Sequence, residues 1–588
     1  MFQNTPSDDM KKALELRSFS YKKTSHRFLQ IDPSAQDIIS LKVAVPSGTG
    51  FWPFSPTSSV FCRLAKGGVQ DPYCVQPVHD TWDCNKARLW LDSCVGCHGS
   101  ICKEETLRVS GMNLIDCEDM IIVEAAQEMR WLALSYVWGA NYQTECHPGY
   151  RSGSQISLNT PRTIRDAISV TIQLGYRYLW VDEYCIDQND PEHRSDQIQK
   201  MDQIYCGADL TIVAAAGEDK RYGLPGVGST KRKERISICV DDVVVFSNGP
   251  EAQWEAYESK WFSRAWTFQE GALSKRLLVF TEHQTSFYCQ TSFWMEELAD
   301  PDPGVSHQSE SENRYDGLFD DLVRLMSSVW SWERFAGVLQ SYNERQTTNE
   351  GDTLVAFVGV LNQVRRSHPT THLLCGLPLC PTVEKVARFQ LIDSLEDSLS
   401  AALSWRYRDK TSGSLKRRSK FPSWTWAGWK EGAGMNWFYR AHRFGHRSTL
   451  RHVQLESSSR RIVMPSALYL EHDLQQELDT VTLIQFEAPT ISAASVSAED
   501  TLPLVPAQFW HRLIENEHKG MWSCLVLRAG KWSEKSLNDV TFVLVVCWEA
   551  DQVTAERIGS FWLNARSSKE AKLGLSEDSW TWRRVRLI

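Results

Sequence analysis

The chain has 588 residues, 42% hydrophobic and 23% charged, which is the balance of a folded multidomain protein and excludes a disordered or collagen-like chain. Its 64 basic and 73 acidic side chains give a formal charge of −9, and no segment concentrates Lys and Arg as a nucleic-acid footprint would. The longest purely apolar stretch, near Val543–Trp548, is far shorter than the ~20 residues of a membrane span, and the start MFQNTPSDDMKKALEL lacks the basic-then-apolar order of a secretory signal. A soluble, cytoplasmic protein is expected, with 24 Trp implying several aromatic-rich cores and 16 Cys read mainly as reduced thiols.

In chain order, residues 1–50 are polar and weakly periodic, a loosely ordered lead. Residues 51–129 form a Cys- and Trp-rich extension, loop-like as far as 117. From Arg130 the pattern changes. Trp131–Trp138 is a short apolar run stopped by Gly139, as a buried strand would be. Thr160-Pro161 caps a helix with Ile164, Ala167, Ile168 and Ile172 on one face, and Gly175 closes it. Tyr178–Ile186 reads as the next strand, Asp190-Pro191 opens a second helix running to Gly207, and Leu210–Ala215 reads as a third strand. Strands alternating with helices at these lengths predict parallel pairing with right-handed crossovers. The expected class is therefore α/β, with a parallel sheet in residues 130–295.

Further on, Ile236–Phe246 reads as β structure, Ser263–Ala272 as a short helix, and Leu277–Thr281 with Ser286–Cys289 as a hairpin. Residues 296–318 are an acidic linker, 319–420 a helical accessory region and 421–588 a β-rich α+β region. No internal repeat is evident.

Four segments in order carry a resemblance: Ala133-Leu-Ser-Tyr-Val-Trp-Gly139; Tyr178-Leu-Trp-Val-Asp182 with Cys185-Ile186 and Gln188; Ile204-Tyr205 with Thr211–Ala214 and Gly223-Leu-Pro-Gly226; and Arg264-Ala-Trp-Thr-Phe-Gln-Glu270 with Leu273-Ser274. This set resembles the fungal heterokaryon-incompatibility (HET) domain. Trp90 with Cys94, His98 and Cys102 resembles the segment that often precedes that domain, and Phe421–Trp429 one that often follows it. Glu183-Tyr184 departs from the family pattern, adding a carboxylate beside Asp182. The resemblance implies a part in fungal self/non-self recognition and regulated cell death, with a protein partner or self-assembly. It also implies a distant likeness to TIR (flavodoxin-like) domains, some of which cleave NAD at its N-ribosyl bond with a helix-borne glutamate. Trp266 precedes Glu270 by four positions, as in the TIR pattern, and that spacing stacks two side chains on one helix face.

On this reading Glu270 is the candidate catalytic carboxylate, and Ser135, Tyr136, Asp182 and Trp266 are candidate substrate contacts. NAD would be the substrate, and no cofactor is called for. A carboxylate stabilises the positive charge that builds on the ribose as its bond to nicotinamide breaks. The structural alternative makes Glu270 an ion-pair partner of Arg264 or Lys275, Trp266 core, and Asp182 a shaper of the turn that follows it. Cys94, Cys97, His98 and Cys102 have ligand types suited to zinc, with Cys84 or Cys117 available to complete a set. A clean second ligand pair is missing, so packed thiols remain the alternative. Gly223–Gly228 lacks the lysine and spacing of a phosphate-binding loop.

Overall fold

The computed structural model describes chiefly residues 77–98, 109–139, 149–235, 252–297, 330–379, 394–407, 416–430, 447–457, 475–496, 507–564 and 581–588, with isolated residues and strands elsewhere. Two compact units divide the chain, Met1–Asp320 and Asp321–Ile588.

The first unit begins with strands β1 (Glu15–Ser20), β2 (Ile39–Ala44) and β3 (Val60–Leu64), helix α1 (Cys84–Cys97), then β4 (Asn113–Asp116) and β5 (Ile121–Glu124). Next come β6 (Trp131–Ser135), α2 (Arg162–Gln173), β7 (Tyr178–Trp180), α3 (Asp182–Cys185), α4 (Pro191–Gln199), α5 (Met201–Gly207) and β8 (Leu210–Ala214). It ends with β9 (Ser237–Val240), β10 (Val243–Ser247), α6 (Ala252–Glu258), α7 (Ala265–Ala272), β11 (Arg276–Phe280), β12 (Thr285–Cys289) and β13 (Phe293–Met295). Thus two strands lie within the first 50 residues. The strand β3, the helix α1 and β4 fall in the stretch expected to be loop. Most of the acidic segment, 298–317, lies outside the described residues.

Eight strands form the central sheet in the order β13-β12-β11-β8-β6-β7-β4-β5. Its middle four, β11, β8, β6 and β7, are parallel, and the flanking strands pair antiparallel. The predicted parallel α/β sheet is therefore present, and the order of the parallel strands, numbered along the chain, is 2-1-3-4. Strands β6 and β8 are buried at every position because both faces are covered: Ile212 and Leu278 join one apolar cluster, Val213 and Val279 the other.

Three boundaries differ from expectation. The strand at Tyr178 ends at Trp180, because the Asp182 carboxylate turns back to accept the Glu183 N–H at 2.7 Å and the Cys185 N–H bonds Val181 O, starting α3 instead. The helix after Asp190 breaks at Lys200 into α4 and α5. At α2 it is Pro161 that stands as the N-cap, without a side-chain hydrogen bond to the first turn. Asp190, by contrast, does cap α4, accepting from Glu192 N and His193 N.

The second unit holds helices Trp332–Asn343, Asp352–Ser367 and Leu395–Ala402, then a sheet whose strands Val481–Ile491, Trp522–Ser533, Ser536–Trp548, Thr554–Asn564 and Thr581–Leu587 close into a five-stranded barrel. Helix Ala507–His518 covers one barrel wall through Trp510 and Leu513. The aromatic stretch Phe421–Trp429 is core: Trp424 and Trp426 are fully buried, and the indole N–H groups of Trp426 and Trp429 reach Gly376 O and Ser423 O.

Candidate functional site

Ser135 is the last residue of β6, Asp182 opens α3 just past β7, and Glu270 lies in the middle of α7. Ser135 and Asp182 follow the carboxyl ends of two neighbouring parallel strands, where open α/β sheets place their ligand sites, and α7 brings Glu270 to Ser135. Ser135 Oγ donates to Glu270 Oε2 and accepts the Trp261 indole N–H at 2.6 Å. Close packing of α7 depends on Gly271, where a Cβ would stand 2.5 Å from the Phe319 ring.

Glu270 is 6% exposed. Burial, and then the neighbouring Asp182 charge, push its carboxyl up to about 7, against the opposing pull of Ser135, Arg264 and the Tyr205 hydroxyl. Asp182 keeps part of its surface open to solvent, but loss of hydration and the Glu183 charge push its carboxyl up to about 6. Trp138 Nε1 donates to Asp182 Oδ2 at 2.8 Å. The two carboxyls thus feel one another and both hold a proton closer to neutrality than ordinary carboxyls do.

The added carboxylate of Glu183 is neutralised separately. Its Oε1 receives Lys220 Nζ at 2.8 Å and its Oε2 the Tyr136 hydroxyl at 3.0 Å, so Tyr136 meets Glu183 rather than Glu270 or Asp182. Trp266 stands one turn before Glu270 on α7, partly buried against the apolar core. Sequence reasoning missed Trp261, Tyr205 and Lys220. Tyr205 enters the sequence reading only through the resemblance, and nothing in the spacing of Trp261 or Lys220 ties them to Ser135 or Glu183.

The glycine-rich loop is clasped by its own protein: Asp166 of α2 accepts Leu224 N at 2.9 Å and Thr230 Oγ1 at 2.7 Å, and a Cβ on Gly223, at φ +100°, would meet Thr230 Oγ1 at 2.1 Å. Beside it a cleft of about 910 Å³ opens at the ends of β8 and β11, lined by Arg162, Gly217, Tyr222, Lys231, Glu255 and Glu282 among others; Ser135, Asp182 and Glu270 are not part of its wall.

At the opposite edge of the sheet, Cys94, His98 and Cys102 come together with Cys289, their sulfur and nitrogen atoms all within 4.8 Å of one another. Cys97 does not take part: it is exposed, and Cys289 of β12 stands in the set where Cys97 was expected. Cys117 is buried elsewhere, with its thiol toward Ile115 O, and Cys84 packs at the margin of the core.

Residues 131–270 match the family described as heterokaryon incompatibility protein (HET), the same stretch that carries β6, α3, β8 and Glu270. Among curated proteins, the chain is 25% identical to the vegetative incompatibility protein HET-E-1 of Podospora anserina, over 23% of this chain and 9% of that protein. It is 27% identical to heterokaryon incompatibility protein 6, OR allele, of Neurospora crassa, over 24% of this chain and 27% of that protein. No solved structure matches significantly. The chain carries a domain of the HET family. It spans only a small part of the length of these relatives, and among the described residues no helix is long and apolar enough to cross a membrane.

Proposed function

We propose that the protein acts as a heterokaryon-incompatibility determinant in the fungal cytoplasm, promoting cell death after fusion of unlike cells, and that its HET domain cleaves NAD or a related nucleotide at the N-ribosyl bond. The observation that carries the chemistry is the meeting of Ser135, Asp182 and Glu270 at one strand edge, with both carboxyls raised toward neutrality. The 2-1-3-4 order of the parallel strands supports a TIR-like reading, since flavodoxin-like sheets begin in that order.

In this mechanism Glu270, once ionised, faces the ribose as positive charge develops there. Nicotinamide leaves without acid assistance because its ring nitrogen is already cationic, and water attacks the sugar. Asp182 holds a ribose hydroxyl, and Ser135 fixes the rotamer of Glu270. Glu270 is enclosed in the single chain, so substrate entry requires the covering residues to move; self-assembly or a protein partner supplies that opening. Purified protein tethered into clusters should release nicotinamide from NAD, and Glu270→Ala should abolish the release while leaving the circular dichroism spectrum unchanged.

The burial of Glu270 and its closed hydrogen bond to Ser135 favour a second reading, an adaptor whose HET domain only self-associates. Clustered wild-type protein that releases no nicotinamide would establish that reading and remove the first.

A further inference from the structure

Helix α1 lies on β12 through Trp90, whose ring centroid is 6.4 Å from that of Phe287. This contact brings the end of α1 to the tight turn that joins β12 to β13. Cys94 and His98, four apart, share one side of the helix terminus, with the His98 N–H bonded to Cys94 O. Cys102 follows after another three residues, and Cys289 enters from the turn, where its N–H bonds Ser292 O. We propose that Cys94, His98, Cys102 and Cys289 bind one zinc ion as a closed, structural Cys₃His site that ties α1 to the β12–β13 hairpin.

Three independent features point to a dication. The first is geometry: Zn–S bonds of ~2.3 Å and a Zn–N bond of ~2.0 Å put tetrahedral ligand atoms about 3.5–3.8 Å apart. Cys289 Sγ stands 3.4 Å from His98 Nδ1, and all four ligand atoms fall within 4.8 Å of one another. The second is the orienting shell. His98 turns Nδ1 toward the sulfurs while Nε2 meets Ser292 Oγ at 3.3 Å, the arrangement in which the second ring nitrogen sets the tautomer of a metal-bound imidazole. Ser292 N–H also donates to Cys289 Sγ at 3.3 Å.

The third is charge. Three thiolates, a neutral imidazole and Zn²⁺ carry a net charge of −1. Arg276, 1% exposed, donates Nε–H to Cys94 Sγ at 3.2 Å, an Nη1–H to Asp209 O and an Nη2–H to Cys102 O. A guanidinium so deeply buried calls for an anion beside it, and the zinc–thiolate group is that anion. Binding exchanges three thiol protons for the ion and involves no oxidation. Four protein ligands leave no open position, so the site is structural rather than catalytic.

The full-length protein, dialysed free of loosely held metal and assayed by atomic emission, should carry about one zinc per chain. Cys97→Ser should leave that content unchanged, whereas Cys289→Ser should lose most of it. Because a misfolded Cys289→Ser chain would also lose zinc, a second measurement uses the wild-type chain: with zinc removed by a chelator and cobalt(II) added, it should show the intense d–d and thiolate charge-transfer bands of a tetrahedral site. A wild-type chain that retains no zinc after being offered it, cobalt bands of an octahedral aquo ion, two of the four-residue set joined in a disulfide, or equal zinc loss in Cys97→Ser and Cys289→Ser would each overturn the proposal.

Discussion

The parallel sheet carries one polar cluster at each edge. At the carboxyl edge, Ser135, Asp182 and Glu270 gather two acids in a place where burial raises both against the opposing pull of Arg264. At the amino edge, Arg276 and Cys289, paired across β11 and β12, sit with Cys94, His98 and Cys102 in a cluster that has a guanidinium built in. The first arrangement is poised to change its charge near neutral pH. The second is arranged to keep its charge fixed. That is the division expected when one edge of a sheet serves chemistry and the other holds the fold together.

The largest stability effect should come from breaking the one fully compensated carboxylate near the site. Lys220→Met strips buried Glu183 of its ammonium partner and should cost about 3–5 kcal/mol of unfolding free energy, read from denaturant unfolding curves. A loss below about 1 kcal/mol would contradict a stabilising role for this buried ion pair. Next comes Glu270→Gln. In the wild type the carboxyl rises from its usual 4.5 to about 7 on folding, so the folded state holds the proton more tightly. This contribution is complete below pH 4.5 and is lost as pH climbs to 7. Melting temperature should therefore fall over that interval in the wild type and fall less in the variant; parallel curves would contradict a raised Glu270. The smallest effect is that of Trp138→Phe, which removes the donor to Asp182 and should cost about 1 kcal/mol while moving the Asp182 titration further upward, as read by carbon NMR of the labelled carboxyl.

What was legible in the sequence follows from how far apart the cooperating residues lie. Strands β6 and β8 announce themselves as continuous apolar runs, and the Asp190-Pro191 start of α4 carries a cap that acts within three residues. Within the carboxylate cluster, Ser135 and Asp182 were legible because each sits at the end of an apolar run, so the topology alone delivers them to one edge, whereas Glu270 was marked only by its spacing from Trp266. Glu183 was visible only as an extra acid, since its partner Lys220 comes from a loop with no periodicity. Similarly, Cys94, His98 and Cys102 are close in sequence, but Cys289 reads as an ordinary strand residue until α1 is laid on β12. Cys97, nearer in the chain, was the natural wrong choice. The short helix α3 is hard to read because Asp182–Ile186 follows directly on the apolar run Tyr178–Val181 and its turn is started by one side-chain hydrogen bond.

The claim that Glu270 performs chemistry is tested most directly by nicotinamide release from NAD by tethered, clustered protein, followed across neutral pH for the wild type and Glu270→Gln. Release should rise as the Glu270 carboxyl ionises through about 7, and should drop by about 100-fold or more in the variant. Release that is absent at every pH, or equal in the two proteins, would contradict it.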